Sequence, residues 1–313
     1  MKVLFVSGGN TEKFGIPPLV EAQGDSLKKE GIKIDYFPLV GKGLSGYLKN
    51  VLKLKKHLKN NPADIIHAHY SYSGVVAHLA SKKMPIVVSL LGTDVNGKGI
   101  IKKLIISCIR FLSWDTLIVK SVSMQEKLKQ SQSYIIPNGV NTELFDVISK
   151  EKSRNELHWD KSKKYILFAA NPDREEKNFS LTQKAVSLLN NKNVELKYLD
   201  NIIQTNMPVW LNAADVVVLS SLWEGSPNVI KEAMACNCPI VATNVGDIEW
   251  LFGNEPGHYL ATFAPEDFAN KINKALDFAG KYNKTNGRKR LLALGLESET
   301  IAKKIIAIYK SIL

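Results

Sequence analysis

Two glutamates of this chain have a spacing that could serve ligand binding. Glu224 and Glu232 lie in the segment WEGSPNVIKEAMACNCPIVAT, and Ser226 and Pro227 stand between them. A serine hydroxyl can cap free backbone amides, and proline is well tolerated at the first helical position because its missing N–H would have no partner there. The segment therefore predicts a helix that begins at Pro227, between the two carboxylates.

The first turn of that helix predicts an anion site. The backbone amides of Asn228 and Val229 point out of the helix end, where the positive end of the dipole favours a group such as a diphosphate. Glu232 follows Asn228 by four residues and shares its face, about 6 Å along the axis. Its carboxylate suits neutral hydroxyls such as those of a ribose. The segment is typical of a nucleotide-sugar site, although acidic residues near a helix start also occur simply because they complement the dipole.

Two cations follow the predicted strand that opens the second half of the chain. Arg174 and Lys177 lie in the segment FAANPDREEKNFS. Opposite a helix N-terminus, they could hold a diphosphate from a second side and spread its charge. The open alternative is that they form solvated ion pairs with the neighbouring acids Asp173, Glu175 and Glu176.

The first half of the chain offers histidines and glycines. In ADIIHAHYSYSG, His67 and His69 end a predicted strand, and alternation places both on one face. A metal site would need further ligands, so hydrogen bonding to sugar hydroxyls is the preferred role. The loop SGGNTEKFGIPP, which includes Gly15, would let backbone amides approach a ligand or would simply form a tight turn. It lacks the G-x-G-x-x-G pattern, which argues against a dinucleotide oxidoreductase.

Short apolar runs alternate with longer mixed segments, the pattern of βα units around parallel sheets. Strands are predicted at Val3–Ser7, Ile34–Phe37, Ile65–His67, Ile86–Leu90, Thr116–Val119, Tyr134–Ile136, Tyr165–Ala169, Glu195–Tyr198, Val216–Leu219 and Ile240–Thr243. We predict two α/β lobes with the ligand site in a cleft at the carboxyl ends of their strands. The predicted divisions are a first lobe at 1–147, a polar linker at 148–164, a second lobe at 165–297 and a helix at 298–313 that packs back toward the first lobe.

Charge is distributed unevenly over the 313 residues. The net charge is +12, and residues 1–150 hold 21 of the 42 basic residues but only 11 of the 30 acidic ones. Two segments, YLKNVLKLKKHLKN and Lys98–Trp114, combine lysines with apolar residues at roughly helical spacing. Each is predicted to lie on an anionic membrane or to face an anionic acceptor, or else to be an ordinary surface helix. No interleaved aromatic pattern accompanies the lysines, so nucleic acid is not an expected partner.

The N-terminus and the cysteines indicate a compartment. MKVLFVSGGN has too short an apolar run for a signal peptide or a spanning helix, which predicts a cytoplasmic protein. Peripheral attachment to the inner face of the cell membrane is a further expectation. Cys108, Cys236 and Cys238 are too few for a disulfide framework and lack the second pair that a metal site needs, so they are predicted to be small core residues.

Taken in order, these motifs resemble the GT-B glycosyltransferases, in particular the retaining glycosyltransferase family 4. The resemblance covers nearly the whole chain, through VLFVSGG, ADIIHAHYSYSG, LGTDVNG, YIIPNGVNTELF, FAANPDREEKN and the segment from Trp210 to Ile248. The two glutamates match the family's E-x7-E signature. The resemblance implies a GT-B fold, in which two Rossmann-like α/β lobes face each other across a cleft.

The resemblance also implies residue roles. Glu232 would bind the nucleotide ribose, and Glu224 would contact the donor sugar near its reacting carbon. The full set expected to bind the donor is Gly15, Arg174, Lys177, Ser226, Asn228, Val229 and Glu232. Family members need no obligatory metal, so no metal site and no cofactor are predicted beyond the nucleoside-diphosphate sugar itself. The departing phosphate oxygen can help to deprotonate the acceptor hydroxyl, which leaves charge stabilisation and alignment to the protein.

Two positions depart from the family pattern. Ala170-Asn171 stands where many members have Gly-Arg, and Leu91 stands where many have a histidine before the Gly-x-Asp of LGTD, whose aspartate is Asp94. These departures leave open a second function, that of a catalytically inert relative which binds sugar nucleotides or acts as a scaffold.

The sequence thus predicts a retaining glycosyltransferase. It would move a sugar from a nucleoside-diphosphate sugar to a saccharide or lipid-linked acceptor, in the synthesis of cell-surface polysaccharide or glycoconjugate. Glu224 and His69 are the predicted catalytic residues. The residues predicted to face the acceptor or an anionic membrane surface are Lys53, Lys55, Lys56, Lys59 and Asp94.

Overall fold

A computed structural model of the chain describes residues 1–9, 15–41, 43–81, 83–96, 114–129 and 132–313. Cys108 and all but the last residue of the second basic segment, Lys98–Trp114, lie outside the described residues. The chain divides into two compact units. Unit 1 consists of Met1–Gly139 and Ser298–Leu313, and unit 2 consists of Val140–Glu297.

Unit 1 is built on a parallel sheet whose strands are rich in buried Val, Ile and Leu, as expected where helices cover a sheet. Its strands are β1 (Lys2–Gly8), β2 (Lys33–Leu39), β3 (Ile65–His69), β4 (Ile86–Ser89), β5 (Thr116–Val119) and β6 (Tyr134–Ile135). Its first helices are α1 (Pro18–Lys29), α2 (Gly43–Asn60), α3 (Ser71–Ala80), α4 (Gly92–Asn96) and α5 (Val122–Leu128). The strand order is β2-β1-β3-β4-β5-β6, so the winding direction reverses between β1 and β3.

Unit 2 repeats this design with a second parallel sheet. Its strands are β7 (Lys164–Phe168), β8 (Val194–Tyr198), β9 (Val216–Leu219), β10 (Ile240–Thr243) and β11 (His258–Ala261). Its helices are α6 (Lys150–Glu156), α7 (Phe179–Leu188), α8 (Met207–Ala213), α9 (Asn228–Ala235), α10 (Ile248–Phe252), α11 (Pro265–Tyr282) and α12 (Gly287–Ala293). The strand order is β11-β10-β9-β7-β8, which places the reversal between β7 and β9.

The last helix, α13 (Ser298–Ser311), belongs to unit 1. Ile301, Ile305 and Ile308 recur at helical spacing and are buried, which gives the helix an apolar face. Tyr309 is completely buried as well. Among the described residues, no helix is both long enough and apolar enough to cross a bilayer.

Every strand predicted from the sequence is present, with ends that differ by at most two residues. β11 was not predicted, because its four residues HYLA have no run of β-branched side chains. The segment 148–164, predicted to be a linker, contains helix α6 and belongs to unit 2. Its buried Arg154 explains this attachment, since the guanidinium contacts Asp215 at 2.6 Å and donates to the Ala213 carbonyl at 3.0 Å.

Candidate active site

The point where a doubly wound sheet reverses direction is the usual ligand site of such folds, at the carboxyl ends of the two strands involved. In unit 2 these strands are β7 and β9. The segment after β7 carries Arg174 and Lys177, and the segment after β9 carries Glu224. The topology therefore brings together residues that are about 50 positions apart in the sequence.

Lys177 and Glu224 form a charge pair at this point. The ammonium nitrogen of Lys177 donates to Glu224 Oε1 at 2.5 Å, and the Ser221 hydroxyl donates to the same oxygen at 2.7 Å. Both charged side chains are largely buried, with 11% and 13% of their surface exposed. A charge pair held by further hydrogen bonds in a partly dry site has a fixed geometry. The predicted cation and the predicted catalytic carboxylate are thus in direct contact.

The neighbouring backbone holds both partners in place. The Ser220 hydroxyl, at the end of β9, donates to the carbonyls of Lys177 and Asn178 at 3.0 and 2.9 Å. Gly246 has φ +66, and a Cβ there would lie 2.7 Å from the Gly225 oxygen and 3.1 Å from the Glu224 Cβ. Only glycine accommodates both that conformation and that contact. The loop after β10 therefore packs directly against the loop that carries Glu224.

The helix after Glu224 starts differently from the sequence prediction. α9 begins at Asn228, Pro227 occupies the N-cap position, and no side chain caps the helix. The predicted capping by Ser226 is therefore wrong. The Ser226 hydroxyl is buried instead, near the buried carboxylate of Asp247, whose pKa it helps to lower. The first-turn amides of Asn228 and Val229 remain at the helix start, as the anion-site prediction requires.

Glu232 lies one turn inside α9, with 8% of its surface exposed. Burial raises the pKa of its carboxyl group to about 7, while Lys231 and a hydrogen bond from the Gln204 side chain act in the opposite direction. Gln204 sits in a short 3-10 turn, Gln204–Asn206, before α8. Nothing in its sequence surroundings pointed to this contact.

Two further buried charges lie beside the glutamates and were not predicted. Burial lowers the pKa of Lys231 to about 8, and Asp247 and Glu232 oppose that shift. Burial raises the pKa of Asp247 to about 6, and the attraction of Lys231 opposes it. A Gly-Asp pair after the last residues of β10 could have drawn attention to Asp247, because loops at this edge of the sheet carry the site.

Arg174 is arranged differently from Lys177. Its side chain is 53% exposed and binds Glu176, with Nε 2.9 Å and Nη2 2.5 Å from the same carboxylate oxygen. This is one of the solvated ion pairs that the sequence offered as the alternative to diphosphate binding. Asn171, at the position where the family pattern has arginine, donates from its side chain to Asp200 Oδ1 at 2.8 Å.

In unit 1 the two histidines at the end of β3 share one face, as predicted. Their rings stack with centroids 4.4 Å apart and planes 22° apart. His67 is completely buried between two hydroxyls, with Nδ1 2.5 Å from the Tyr309 oxygen and Nε2 2.8 Å from the Ser89 oxygen. Burial lowers the pKa of His69 to about 3, with a further contribution from Lys120, so both rings are neutral at pH 7.

We expect Tyr309→Phe to lower the free energy of unfolding by about 1–3 kcal/mol, because it leaves Nδ1 of the buried His67 without its hydroxyl partner. Denaturant titration measures the change. Tyr259→Phe is the matched control, since its hydroxyl makes an exposed contact of 3.5 Å to the Lys274 carbonyl. Equal changes for the two variants would contradict the importance of the His67 contact.

The other predicted residues of unit 1 take up varied positions. Asp94 is buried, and its carboxylate accepts hydrogen bonds from the backbone amides of Ser71 at 2.9 Å and Leu91 at 2.7 Å. It therefore fixes the loop that carries Leu91. Gly15 has φ +60 and lies exposed. Helix α2 carries exposed side chains at Lys53, Lys55, Lys56 and Lys59.

Two family models match the chain. The model described as Glycosyltransferase Family 4 matches residues 18–144, and the model described as Glycosyl transferases group 1 matches residues 183–277. One similar protein is named for teichuronic acid biosynthesis, the glycosyltransferase TuaC of Bacillus subtilis (strain 168). It is 28% identical over 228 residues, which are 65% of this chain and 58% of that protein. The chain thus spans little more than half the length of this relative.

A second relative and a solved structure add to these matches. The UDP-Gal:alpha-D-GlcNAc-diphosphoundecaprenol alpha-1,3-galactosyltransferase of Escherichia coli is 24% identical over 279 residues, 74% of this chain and 70% of that protein. The structure of Anabaena HepE in complex with UDP and glucose has a TM-score of 0.79 at 17% identity, over 99% of this chain and 100% of that chain. The two parallel α/β units therefore form the two-lobe GT-B fold. The chain belongs to the group 1 glycosyltransferases of the family 4 type.

Proposed function

We propose that this protein transfers a sugar, with retention of anomeric configuration, from a nucleoside-diphosphate sugar bound by unit 2 to a saccharide acceptor bound by unit 1. The observation that carries the proposal is the convergence of Glu224, Lys177 and the first turn of α9 at the carboxyl ends of β7 and β9. The bond from the anomeric carbon to the diphosphate breaks, and a bond from that carbon to the acceptor oxygen forms. The acceptor proton passes to the departing phosphate oxygen.

Each group at this site has a part in the proposed reaction. The ammonium of Lys177 and the first-turn amides of α9 stabilise the negative charge that grows on the leaving diphosphate. Glu224 stabilises the positive charge that grows at the anomeric carbon. Glu232 accepts hydrogen bonds from the ribose hydroxyls. Lys177 and Glu224 are held by their mutual contact and by the Ser221 hydroxyl, so little reorganisation of this pair is needed during the reaction.

The relatives support a class of acceptor. One is named for teichuronic acid biosynthesis and the other for an acceptor on diphosphoundecaprenol. We therefore propose a saccharide acceptor on a phosphorylated lipid carrier, used in cell-surface polysaccharide synthesis. The charges of α2 suit such a carrier, because its exposed lysines attract anionic phosphates and anionic lipids. The lysine face is formed by Lys53, Lys55, Lys56 and Lys59, and the exposed Leu52 lies beside it.

The proposal is tested with a panel of UDP, GDP, ADP and TDP sugars. Binding is measured by thermal shift, turnover by release of the nucleoside diphosphate with a broad acceptor panel, and Glu232→Ala serves as the control. The expected result is one donor that stabilises the wild type, fails to stabilise the variant and is turned over. Binding without turnover would favour the inert sugar-nucleotide-binding relative, and binding of no donor would overturn the proposal.

We expect the double variant Lys55→Gln/Lys59→Gln to bind anionic vesicles about 30-fold more weakly, since each lysine near an anionic surface contributes about 1 kcal/mol. Vesicle sedimentation at physiological salt measures this affinity. The control Lys184→Gln/Lys192→Gln removes the same charge from exposed positions of unit 2. Equal wild-type binding to neutral and anionic vesicles would rule out the role proposed for the lysine face.

A further inference from the structure

A cavity of about 510 Å³ lies in unit 2. Its walls come from the segment 147–151 around the start of α6, from the turn 283–284 after α11, and from the side chains of Arg154 and Lys161. All of these residues belong to unit 2, every residue of which the structure describes. The volume is within the range of pockets that hold a small molecule.

The cavity lies at the opposite edge of the sheet from Lys177 and Glu224. Lys150 and Arg154, which line it, both bind Asp215, and Asp215 directly precedes β9. The cavity is therefore near the amino end of this strand, whereas Lys177 and Glu224 follow the carboxyl ends of β7 and β9. At 3.3 Å per residue, the length of β9 separates the two edges by roughly 13 Å. A ligand in this cavity would not occupy the proposed donor site.

Positive charge exceeds negative charge in this cavity. Four of the residues that line it are cations: Lys150, Arg154, Lys161 and Lys284. Asp215 faces the first two, at 2.8 and 2.6 Å, and Glu151 faces the third at 2.7 Å. These two acids balance two of the four positive charges, which leaves an excess of two.

The ammonium of Lys284 contacts neutral oxygens. It donates to Asn212 Oδ1 at 2.8 Å and to the Cys236 carbonyl at 3.0 Å. An ammonium has three N–H donors, so one remains for a further partner. A partly buried cation also loses hydration, and a nearby anion restores the lost stabilisation. Lys284 is therefore suited to bind an anion in the cavity.

The turn that carries Lys284 has an unusual backbone. Asn283 has φ 61 and ψ −50, and the Lys284 amide donates to the Tyr282 carbonyl at 2.7 Å. This geometry is the rarer, strained form of the γ-turn. Backbone strain of this kind concentrates at functional sites, where the surrounding structure imposes it. The position of Lys284 is thus one that the fold maintains against strain.

Two observations bring Lys284 close to the start of α6. Burial raises the pKa of the Cys238 thiol, and the charges of Lys284 and Lys150 both oppose that rise, so both lysines lie near this thiol. The Ile148 amide donates at 3.0 Å to the same oxygen of the buried Asn212 that Lys284 binds. Asn212 therefore joins the segment before α6 to the turn after α11.

A phosphate monoester matches the chemistry of this cavity. It carries a charge of about −1.5 to −2 at pH 7, which matches the excess of two positive charges. Its oxygens accept short, charge-assisted hydrogen bonds from ammonium groups. Val147 and Ile148 add apolar surface to the cavity wall, which suits the carbon part of the ester.

We infer that this cavity is a binding site for a phosphate monoester, held by the ammonium groups of Lys150 and Lys284. The site is additional to the proposed donor site and does not depend on the proposed function. The bound phosphate joins α6 to the turn after α11, and it stabilises the folded protein because the unfolded chain has no such site.

Calorimetric titration of the whole protein with sn-glycerol 3-phosphate tests the inference. Glycerate, which has a singly charged carboxylate in place of the phosphate ester, and glycerol, which has no charge, are the matched ligands. We expect glycerol 3-phosphate to bind about tenfold more tightly than glycerate, and glycerol to show no binding. Equal affinity for the phosphate and the carboxylate would overturn the inference.

Variants make the result specific to this cavity. Lys284→Gln should weaken binding of glycerol 3-phosphate by about tenfold or more, because it removes a charge-assisted hydrogen bond. Lys161→Gln changes a side chain that is 55% exposed and should weaken binding about threefold, so the test survives if Lys284→Gln fails to fold. Lys184→Gln removes the same charge from an exposed position on α7 and should leave the affinity unchanged.

The candidate active site is the competing location for a phosphate, through Lys177. Weaker binding in Lys177→Gln, with unchanged affinity in Lys284→Gln and Lys161→Gln, would place glycerol 3-phosphate there and overturn the inference.

Phosphatidylcholine vesicles with and without phosphatidate test the same phosphate chemistry in a lipid. Binding of phosphatidate vesicles that is lost in Lys284→Gln, without binding of glycerol 3-phosphate, would assign the site to a lipid headgroup. Binding of neither probe that depends on Lys284 or Lys161 would overturn the inference.

Discussion

Replacing Glu224 with glutamine should lower turnover by about 10²–10³-fold while the affinity for the sugar nucleotide changes by less than about threefold. The glutamine side chain has nearly the same shape but no charge, so it cannot stabilise positive charge at the anomeric carbon. Glu224 is suited to this task because it is largely buried and because Lys177 and Ser221 fix one of its oxygens. The loss should therefore fall on the transition state rather than on binding.

Steady-state release of the nucleoside diphosphate measures turnover, and calorimetric titration measures the affinity for the donor. Glu249→Gln is the matched control, an exposed glutamate on α10 of the same unit whose side chain accepts a hydrogen bond from Asn244 at 3.1 Å. It should keep wild-type turnover. Near-normal turnover in Glu224→Gln would remove Glu224 from the reaction, and a large loss of donor affinity with little further loss of turnover would assign it to binding instead.

The sequence predicted the local structure around the candidate site well where the residues belong to one local motif. Glu224 and Glu232 lie within one short segment, so turn and helix preferences were enough to place Glu224 before α9 and Glu232 inside it. The histidines at the end of β3 are a similar case, since strand alternation alone placed them on one face. The predicted capping by Ser226 failed: Pro227 occupies the N-cap position, and the Ser226 hydroxyl is buried without capping the helix.

Contacts between residues that are far apart in the chain could not be predicted from the sequence. Lys177 was predicted as a diphosphate ligand, but its pairing with Glu224 depends on β7 and β9 being neighbours in the sheet, which no local pattern specifies. The same limit applies to Tyr309, whose contact with His67 joins the last helix to β3.

Glu232→Ala should weaken binding of the sugar nucleotide by at least about 100-fold, since a hydrogen bond to a charged group contributes roughly 1.5–3 kcal/mol and the carboxylate can accept two from a ribose. The effect should appear in the dissociation constant measured by calorimetry. Deoxygenated nucleotides give an independent check, because a donor without ribose hydroxyls should bind the wild type and the variant with similar affinity. If the wild type and Glu232→Ala prefer the intact donor over the deoxygenated donor to the same degree, the proposed contact between Glu232 and the ribose is contradicted.

The pKa of Glu232 gives this prediction a pH dependence. Burial raises that pKa to about 7, so the carboxyl group is mostly protonated at pH 6 and mostly ionised at pH 8. The ionised form accepts the stronger hydrogen bonds, and the diphosphate diester of the donor does not titrate in this range. Affinity should therefore rise by up to about tenfold between pH 6 and pH 8. Glu232→Gln keeps the shape but cannot ionise, so its affinity should be the same at both pH values; a wild-type affinity that falls with rising pH would mean that repulsion between Glu232 and the diphosphate outweighs the ribose contact.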